Sequence, residues 1–224
     1  MDLAEQLRAS LAAQQLPPAS ASFLQTLIAA RTPPPPRASL LATARARLLA
    51  CDLCDGGILD AAAMASLPAA AADPGTTTTT LPRAVYVQVV DAENLSLSRW
   101  EQVEALEAAA RGTRGRQVVD DEALAAAAAA GKNAVHRLVL QDCTGRTVYA
   151  VETARMPGIG IGTTNIGEKM LLSAGTVVAR GTVLLTPDKT VFLGGRVDAW
   201  HEAWMSARLA RLKAAAAAGA DRPQ

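Results

Sequence analysis

Up to residue 72 apolar residues recur at intervals of three and four, and from Ala84 onward they alternate with polar ones. The chain therefore reads as helices followed by strands. Residues 1–16 predict a first helix, stopped by Pro17-Pro18. A second, capped by Ser20 or Ser22, sets Phe23, Leu24, Leu27 and Ile28 on one face. Pro33-Pro34-Pro35-Pro36 then holds the chain extended. A third helix carries Leu40, Leu41, Ala44, Leu48 and Leu49 at helical spacing, with Arg37, Arg45 and Arg47 around the rest. Together they predict a three-helix bundle over residues 1–72, thin enough to need packing against the strands beyond it. Residues 69–80, with an alanine run, Asp73-Pro74-Gly75 and consecutive threonines, carry no period and read as a linker.

Residues 84–90 predict a strand with Val85, Val87 and Val89 on one face, but the next strand, 135–141, begins only after a long gap. Residues 92–133 are therefore an insertion, of a length that compact domains keep for function or leave unstructured. It opens on Ser98-Arg99-Trp100-Glu101, a capping-box pattern, and a helix whose Trp100, Val103 and Leu106 form one stripe. Arg111-Gly112-Thr113-Arg114-Gly115-Arg116 follows, then Gln117-Val118-Val119, the acids Asp120, Asp121 and Glu122, and an alanine tract stopped by Gly131. Strands 135–141 and 147–153 are joined by a turn in which Gly145 suits a left-handed position. A glycine-rich connection, 156–168, leads to runs 169–173 and 176–180. A final hairpin over 180–197 then turns at Thr186-Pro187-Asp188-Lys189, where proline pre-sets φ.

This order predicts a mixed fold: the helical bundle, then a five-stranded Greek-key barrel of the OB type over 73–197 with the insertion between strands 1 and 2. A C-terminal helix over 198–213 completes it. A split β-sandwich is the competing architecture.

Charge narrows the function. Lys plus Arg is 22 against 21 for Asp plus Glu, so no global field draws the chain to a polyanion. Aromatics are 3% of residues, few for the stacking platforms that hold single-stranded nucleic acid. No stretch approaches the roughly 18 to 20 apolar residues of a membrane span. The N-terminal residues lack the pattern of a signal peptide, and three cysteines, an odd number, suit a reducing compartment. The expectation is an intracellular chain.

Each candidate for chemistry has a plainer alternative. Cys51-Asp52-Leu53-Cys54 has the spacing of half a zinc site, but its remaining ligands would have to come from Cys143, His136 and His201, none of them in a second close pair. A redox role would want a βαβ context, whereas here the pair ends a helix; structural or incidental cysteines are the stronger reading, and no metal is expected. In Pro157-Gly158-Ile159-Gly160-Ile161-Gly162-Thr163-Thr164-Asn165-Ile166-Gly167-Glu168-Lys169 the glycines have a phosphate-loop separation. Glu168, however, stands where a P-loop needs lysine, and a strand follows instead of a helix. A mobile inter-strand loop is the expectation. Asp120, Asp121 and Glu122 read as a solvated charge run, and no nucleophile and base stand in a catalytic pattern, so neither an enzyme nor a cofactor is expected. Arg111, Arg114 and Arg116 remain as a local site for a nucleic-acid backbone or an acidic partner surface, against the alternative of a solvated loop.

Three stretches resemble the RecQ-mediated genome instability protein 1 family. They are Gly167-Glu168-Lys169 leading into an apolar strand, Arg180-Gly181-Thr182-Val183-Leu184-Leu185-Thr186-Pro187, and Val191-Phe192-Leu193-Gly194-Gly195-Arg196-Val197-Asp198. Leu48-Leu49-Ala50-Cys51-Asp52-Leu53 is similar to the end of that family's helical N-terminus, and Leu138-Val139-Leu140-Gln141-Asp142 with Gly145 to its central hairpin. The resemblance covers about residues 20 to 212 and fits the short fungal type, while residues 157–165 depart from the family's proline-containing loop.

The resemblance implies a nuclear, non-enzymatic OB-fold subunit of the complex of topoisomerase III with a RecQ helicase. Its role would be in decatenation and dissolution of double Holliday junctions. It further implies that the insertion reaches the topoisomerase gate, through Arg111, Arg114, Arg116, Val118, Val119 and Leu124. A direct DNA-binding alternative, taking single-stranded or junction DNA, would use Arg83, Arg137, Arg146, Arg155 and Arg180 for phosphates, with Tyr86 or Tyr149 for limited stacking.

Overall fold

The computed structural model of the protein describes residues 2–112 and 134–220. Three helices come first: α1 (Leu3–Ala13), α2 (Ala21–Ala29) and α3 (Arg37–Ala50). The first starts with Glu5 reaching back to the Asp2 N–H at 3.1 Å, the second with the Phe23 N–H donating to Ser20 Oγ at 3.2 Å. The first helix stops at Ala13, short of the prolines, because Gln15 turns the chain at φ 56° and Leu16 N–H bonds back to the Leu11 carbonyl. Leu7 and Leu11, Phe23, Leu24 and Leu27, and Leu40, Ala44 and Leu48 meet in one buried cluster, which holds three helices too short to be stable alone.

Eight strands follow in one curled sheet: β1 (Thr79–Thr80), β2 (Val85–Asn94), β3 (His136–Asp142), β4 (Thr147–Glu152), β5 (Lys169–Leu172), β6 (Val177–Ala179), β7 (Thr182–Leu185) and β8 (Thr190–Gly194). Their order is β1-β6-β7-β4-β3-β2-β5-β8. Helix α4 (Arg99–Gly112) lies between β2 and β3, and α5 (Asp198–Ala220) ends the described chain. No helix among the described residues is long and apolar enough to cross a membrane. The pairs are antiparallel except β4 with β7, which run parallel. Alternate residues of β3 are buried, and Val85, Val87, Val89, Leu138, Leu140, Met170, Leu172, Val183 and Leu185 fill the interior of the curl.

Several details differ from the sequence expectation. The sheet has eight strands instead of five because two strand paths break, β5 and β6 pairing with different neighbours and likewise β7 and β8, and because Thr79–Thr80 adds an edge strand, β1. The 180–197 hairpin is therefore corrected. Its turn exists, with Lys189 N–H on the Thr186 carbonyl at 3.1 Å, but β7 pairs with β4 and β6 while β8 pairs with β5. The tight hairpin is β6–β7, turned by Arg180 and Gly181 at φ 47° and 72°, the two positive values that a type I′ turn requires. The linker reading of 69–80 is also corrected: Ala71 is buried in the barrel core and Thr79 and Thr80 add an edge strand to β6. The C-terminal helix runs to Ala220 because alanine, the best helix former, extends it past Lys213.

The helical unit sits on the outer face of β2 and β5, where one buried joint fixes it. Lys169, fully buried, donates from Nζ to the carbonyls of Cys51, just past α3, and of Gly167. Beside it the buried Gln88 side chain accepts from the Leu53 N–H at 3.0 Å and donates to Asp52 and Gln141. Tyr86 adds a bond from its hydroxyl to the Leu16 carbonyl at 3.1 Å. All four residues of β5 are buried for this reason: Met170 and Leu172 face the barrel, Lys169 the helices.

Gly195 makes the closest approach. At φ 92°, a Cβ there would stand 2.3 Å from the Leu49 carbonyl oxygen, whereas at Gly194, φ 80°, it would meet nothing within 4 Å. Gly194→Ala is expected to cost only backbone strain, on the order of 1–3 kcal/mol. Gly195→Ala is expected to cost visibly more because α3 must also move away. Denaturant unfolding of the two variants measures this, and equal losses would show that the approach of α3 is not close.

Candidate functional site

The insertion leaves and rejoins the barrel on a fixed base. At its start Leu95 N–H bonds the Val135 carbonyl at 2.8 Å, and Val135 N–H bonds Ser96 Oγ at 2.9 Å, so the two ends of the insertion are held together. The capping box at Ser98 forms as its pattern predicts: Glu101 accepts from the Ser98 N–H at 2.7 Å and Ser98 Oγ from the Glu101 N–H at 3.2 Å. Buried Gln102 ties α4 to the carbonyls of Asn94 and Leu97, both at 3.1 Å. The stripe predicted on α4 is shifted: Val103 is buried, but Trp100 is 59% exposed and Gln102 takes the inward place. Leu95, Trp100 and Val135 stand exposed at this base.

A β-bulge shapes the neighbouring surface. Between Val89 and Asp91 the register of β2 against β3 shifts by one residue. Val85, Val87 and Val89 point inward before it and Ala92 after it, which turns Asp91 and Glu93 outward towards α4 and α5. There Asp91 accepts from Trp204 Nε1 at 2.5 Å and pairs with Arg211 at 3.4 Å, and Glu93 pairs with Arg99 at 3.5 Å and with Arg137. Trp204 lies under two guanidiniums, those of Arg211 at 5.2 Å and Arg208 at 5.8 Å from the ring centre, both within cation–π range. Around them is a cleft of about 220 Å³, bounded also by Ala92, Gln102, Leu212 and Ala215.

Of the sequence-predicted partner residues, Arg114, Arg116, Val118, Val119 and Leu124 lie outside the described residues, and so does the side chain of Arg111. The arginines named for DNA do not form one groove. Arg155 donates to Glu152 and to the carbonyls of Met156 and Ile159, the last at 2.6 Å, Arg146 to the carbonyl of Leu67, and Arg137 to Glu93 while lying 4.7 Å over the Tyr149 ring. Arg83 is exposed before β2, and Arg180 is in the β6–β7 turn. Tyr86 faces the helical unit and Tyr149 stays half exposed.

The remaining candidates resolve into structural parts. The glycine-rich connection is pinned, which corrects the mobile-loop reading. Its N–H groups are used internally: Gly160 on Thr164 Oγ1, Ile166 on His201 Nδ1, Gly167 on the Val89 carbonyl and Asn165 on Glu168 Oε2. Glu168 thus caps a turn of its own chain, and burial, outweighing that bond, raises its carboxyl above the usual range. Cys51 is buried with its thiol on the Leu48 carbonyl, and burial pushes it up to about 11. Cys54 reaches the Asp142 carbonyl at 3.6 Å. His136 is paired with Glu152 and His201 with the Ile166 N–H. Among the described residues no three His, Cys, Asp or Glu side chains gather where they could hold a metal.

A curled, mainly antiparallel sheet with a helical unit on its flank fits the architecture of the OB class. The comparisons agree. A family model described as "RMI1, N-terminal OB-fold domain" matches residues 67–208, and one described as "RMI1, N-terminal helical domain" matches residues 11–55. The chain belongs to the RMI1 family. RecQ-mediated genome instability protein 1 of Schizosaccharomyces pombe is 33% identical over 73 residues, which cover 33% of this chain and 30% of that protein.

Glu152 organises the loop beside β3 and β4. Burial alone would raise its carboxyl; the bonds from the Met156 N–H, His136 and Arg155 outweigh this and hold it below its usual 4.5. A depressed carboxylate contributes stability above its usual value, and that contribution is lost as pH falls through the lowered one. Glu152→Gln is expected to lose about 2–3 kcal/mol at pH 7 and to flatten the acid side of the stability profile below pH 4.5. Urea unfolding at several pH values tests both, and a wild-type slope in the variant would remove Glu152 from the acid transition.

Proposed function

We propose that this chain is a non-catalytic scaffold subunit that binds a type IA topoisomerase, topoisomerase III, and works with a RecQ-family helicase in the nucleus. The reaction it serves is decatenation and dissolution of double Holliday junctions, with the insertion over 92–133 acting at the topoisomerase gate. Family membership supports the reading, and the relative's name connects that protein with RecQ.

The observation that carries it is the insertion's base. An insertion whose ends are joined by the Leu95–Val135 and Ser96–Val135 bonds, and whose first helix is tied back to β2 by Gln102, starts and ends at a fixed place on the barrel. Such preorganisation lowers the ordering cost of binding. Exposed Leu95, Trp100 and Val135 supply apolar contact area at that base. Arg111, Arg114, Arg116, Val118, Val119 and Leu124 are the proposed contacts along the insertion.

Direct binding of single-stranded or junction DNA by Arg83, Arg137, Arg146, Arg155 and Arg180 is the lesser reading. Three of the five already bond internal carbonyls or carboxylates, and freeing them would cost the loops they hold.

The test is co-purification with topoisomerase III and a decatenation assay, comparing the full chain with one in which residues 111–131 are replaced by a short linker. The expected result is stable co-purification of the full chain and stimulation lost on replacement. Unchanged stimulation would remove the insertion from the mechanism, and failure to co-purify would remove the proposal.

A further inference from the structure

Arg208 is a half-buried guanidinium with no carboxylate partner among the described residues, whereas the two carboxylates that line the cleft, and Glu107 on α4, are taken. Asp91 holds Trp204 and Arg211, Glu93 holds Arg99 and Arg137, and Glu107 holds Lys213. Burial and the adjacent Arg211 charge both lower its affinity for its proton, the signature of a cation short of a counter-charge. Its position is nevertheless set: Trp204, itself fixed by Asp91, supports Arg208 and Arg211.

From this geometry we propose that the cleft between β2, α4 and α5 receives a single carboxylate side chain from a partner protein, with Arg208 as its receptor. A volume of about 220 Å³ has room for one side chain, and Ala92, Leu212 and Ala215 give its methylenes an apolar wall. Charge complementarity selects a lone carboxylate over a nucleic-acid strand. A planar guanidinium takes a carboxylate through two parallel bonds. A strand of successive phosphates would also have to run past Asp91 and Glu93 in the cleft, where like charges repel it, whereas one carboxylate can meet Arg208 alone. The inference is independent of the topoisomerase reading, and its test uses neither topoisomerase nor helicase.

The test is an NMR titration of the full chain, following the Trp204 indole N–H and the Arg208 and Arg211 Nε–H signals. The probes are the capped tripeptide Ala-Glu-Leu, its Ala-Gln-Leu counterpart and a thymidine oligonucleotide. The glutamate peptide is expected to shift these signals saturably, the glutamine peptide to bind about tenfold more weakly, and the oligonucleotide to bind more weakly than the glutamate peptide. Arg208→Gln is expected to remove the response with the thermal midpoint little changed, and Arg208→Lys, retaining charge without the planar fork, to restore it in part. No saturable shift with the glutamate peptide, equal binding of both peptides, or tighter binding of the oligonucleotide would each overturn the proposal.

Discussion

The rest of the structure depends on a buried lysine. Lys169 reaches out of the barrel to the end of α3, and its ammonium is bonded to two backbone carbonyls with no carboxylate in direct contact. Burial lowers it from 10.5 to about 8, against the pull of the nearby Asp52 carboxylate. It is therefore still a cation at neutral pH, and the fold bears part of its desolvation below about pH 8, a cost relieved as pH rises from there towards 10.5. What it secures is placement: the helical unit meets the barrel at one register, with Gln88 satisfying the Leu53 N–H beside it and Gly195 allowing α3 to approach. Asp142 extends the same joint by accepting from Leu67 N–H at 2.7 Å while ordering the β3–β4 turn through Thr144 and Arg146.

A second constraint, the bulge in β2, governs the opposite flank. One extra residue reverses the facing of Asp91 and Glu93, and these carboxylates gather Trp204, Arg211, Arg99 and Arg137 from three other elements. The C-terminal helix is thereby tied across β2 and packed on α4, so the insertion's first helix shares its support with the end of the chain. The two flanks divide the work: the joint at Lys169 orients the helical unit, and the bulge orients the insertion and the cleft.

Much of the architecture was legible in the chain. Ser98 with Glu101 announced the start of α4, alternation announced β2, β3 and β4, and Gly145 takes the positive φ of 83° that its turn needs. The misreadings share one cause. Residues 180–197 look like a hairpin because two apolar runs flank a good turn, yet strand partners are chosen by the curl of the sheet, which sends β7 to β4 and β8 to β5. Threonines 79 and 80 gave no period because a two-residue edge strand is too short to show one. In the cleft, Trp204, Arg208 and Arg211 share a helical face that their spacing displays, but Asp91 was unreadable as the partner of Trp204 and Arg211 because local alternation cannot report a bulge.

The sequence by itself determined the element types, the long insertion between the first two long strands, the paucity of stacking aromatics and the motifs around Lys169, all of which are written in residue type and short-range spacing. Tertiary structure alone decided which strands pair, where a buried ammonium finds its carbonyls and which carboxylates answer which arginines. These depend on residues as far apart in sequence as Lys169 and Cys51 or Trp204 and Asp91. The physical reason is that hydrogen bonds and ion pairs between distant residues are selected by the closure of the sheet, a property of the whole chain that no local window contains.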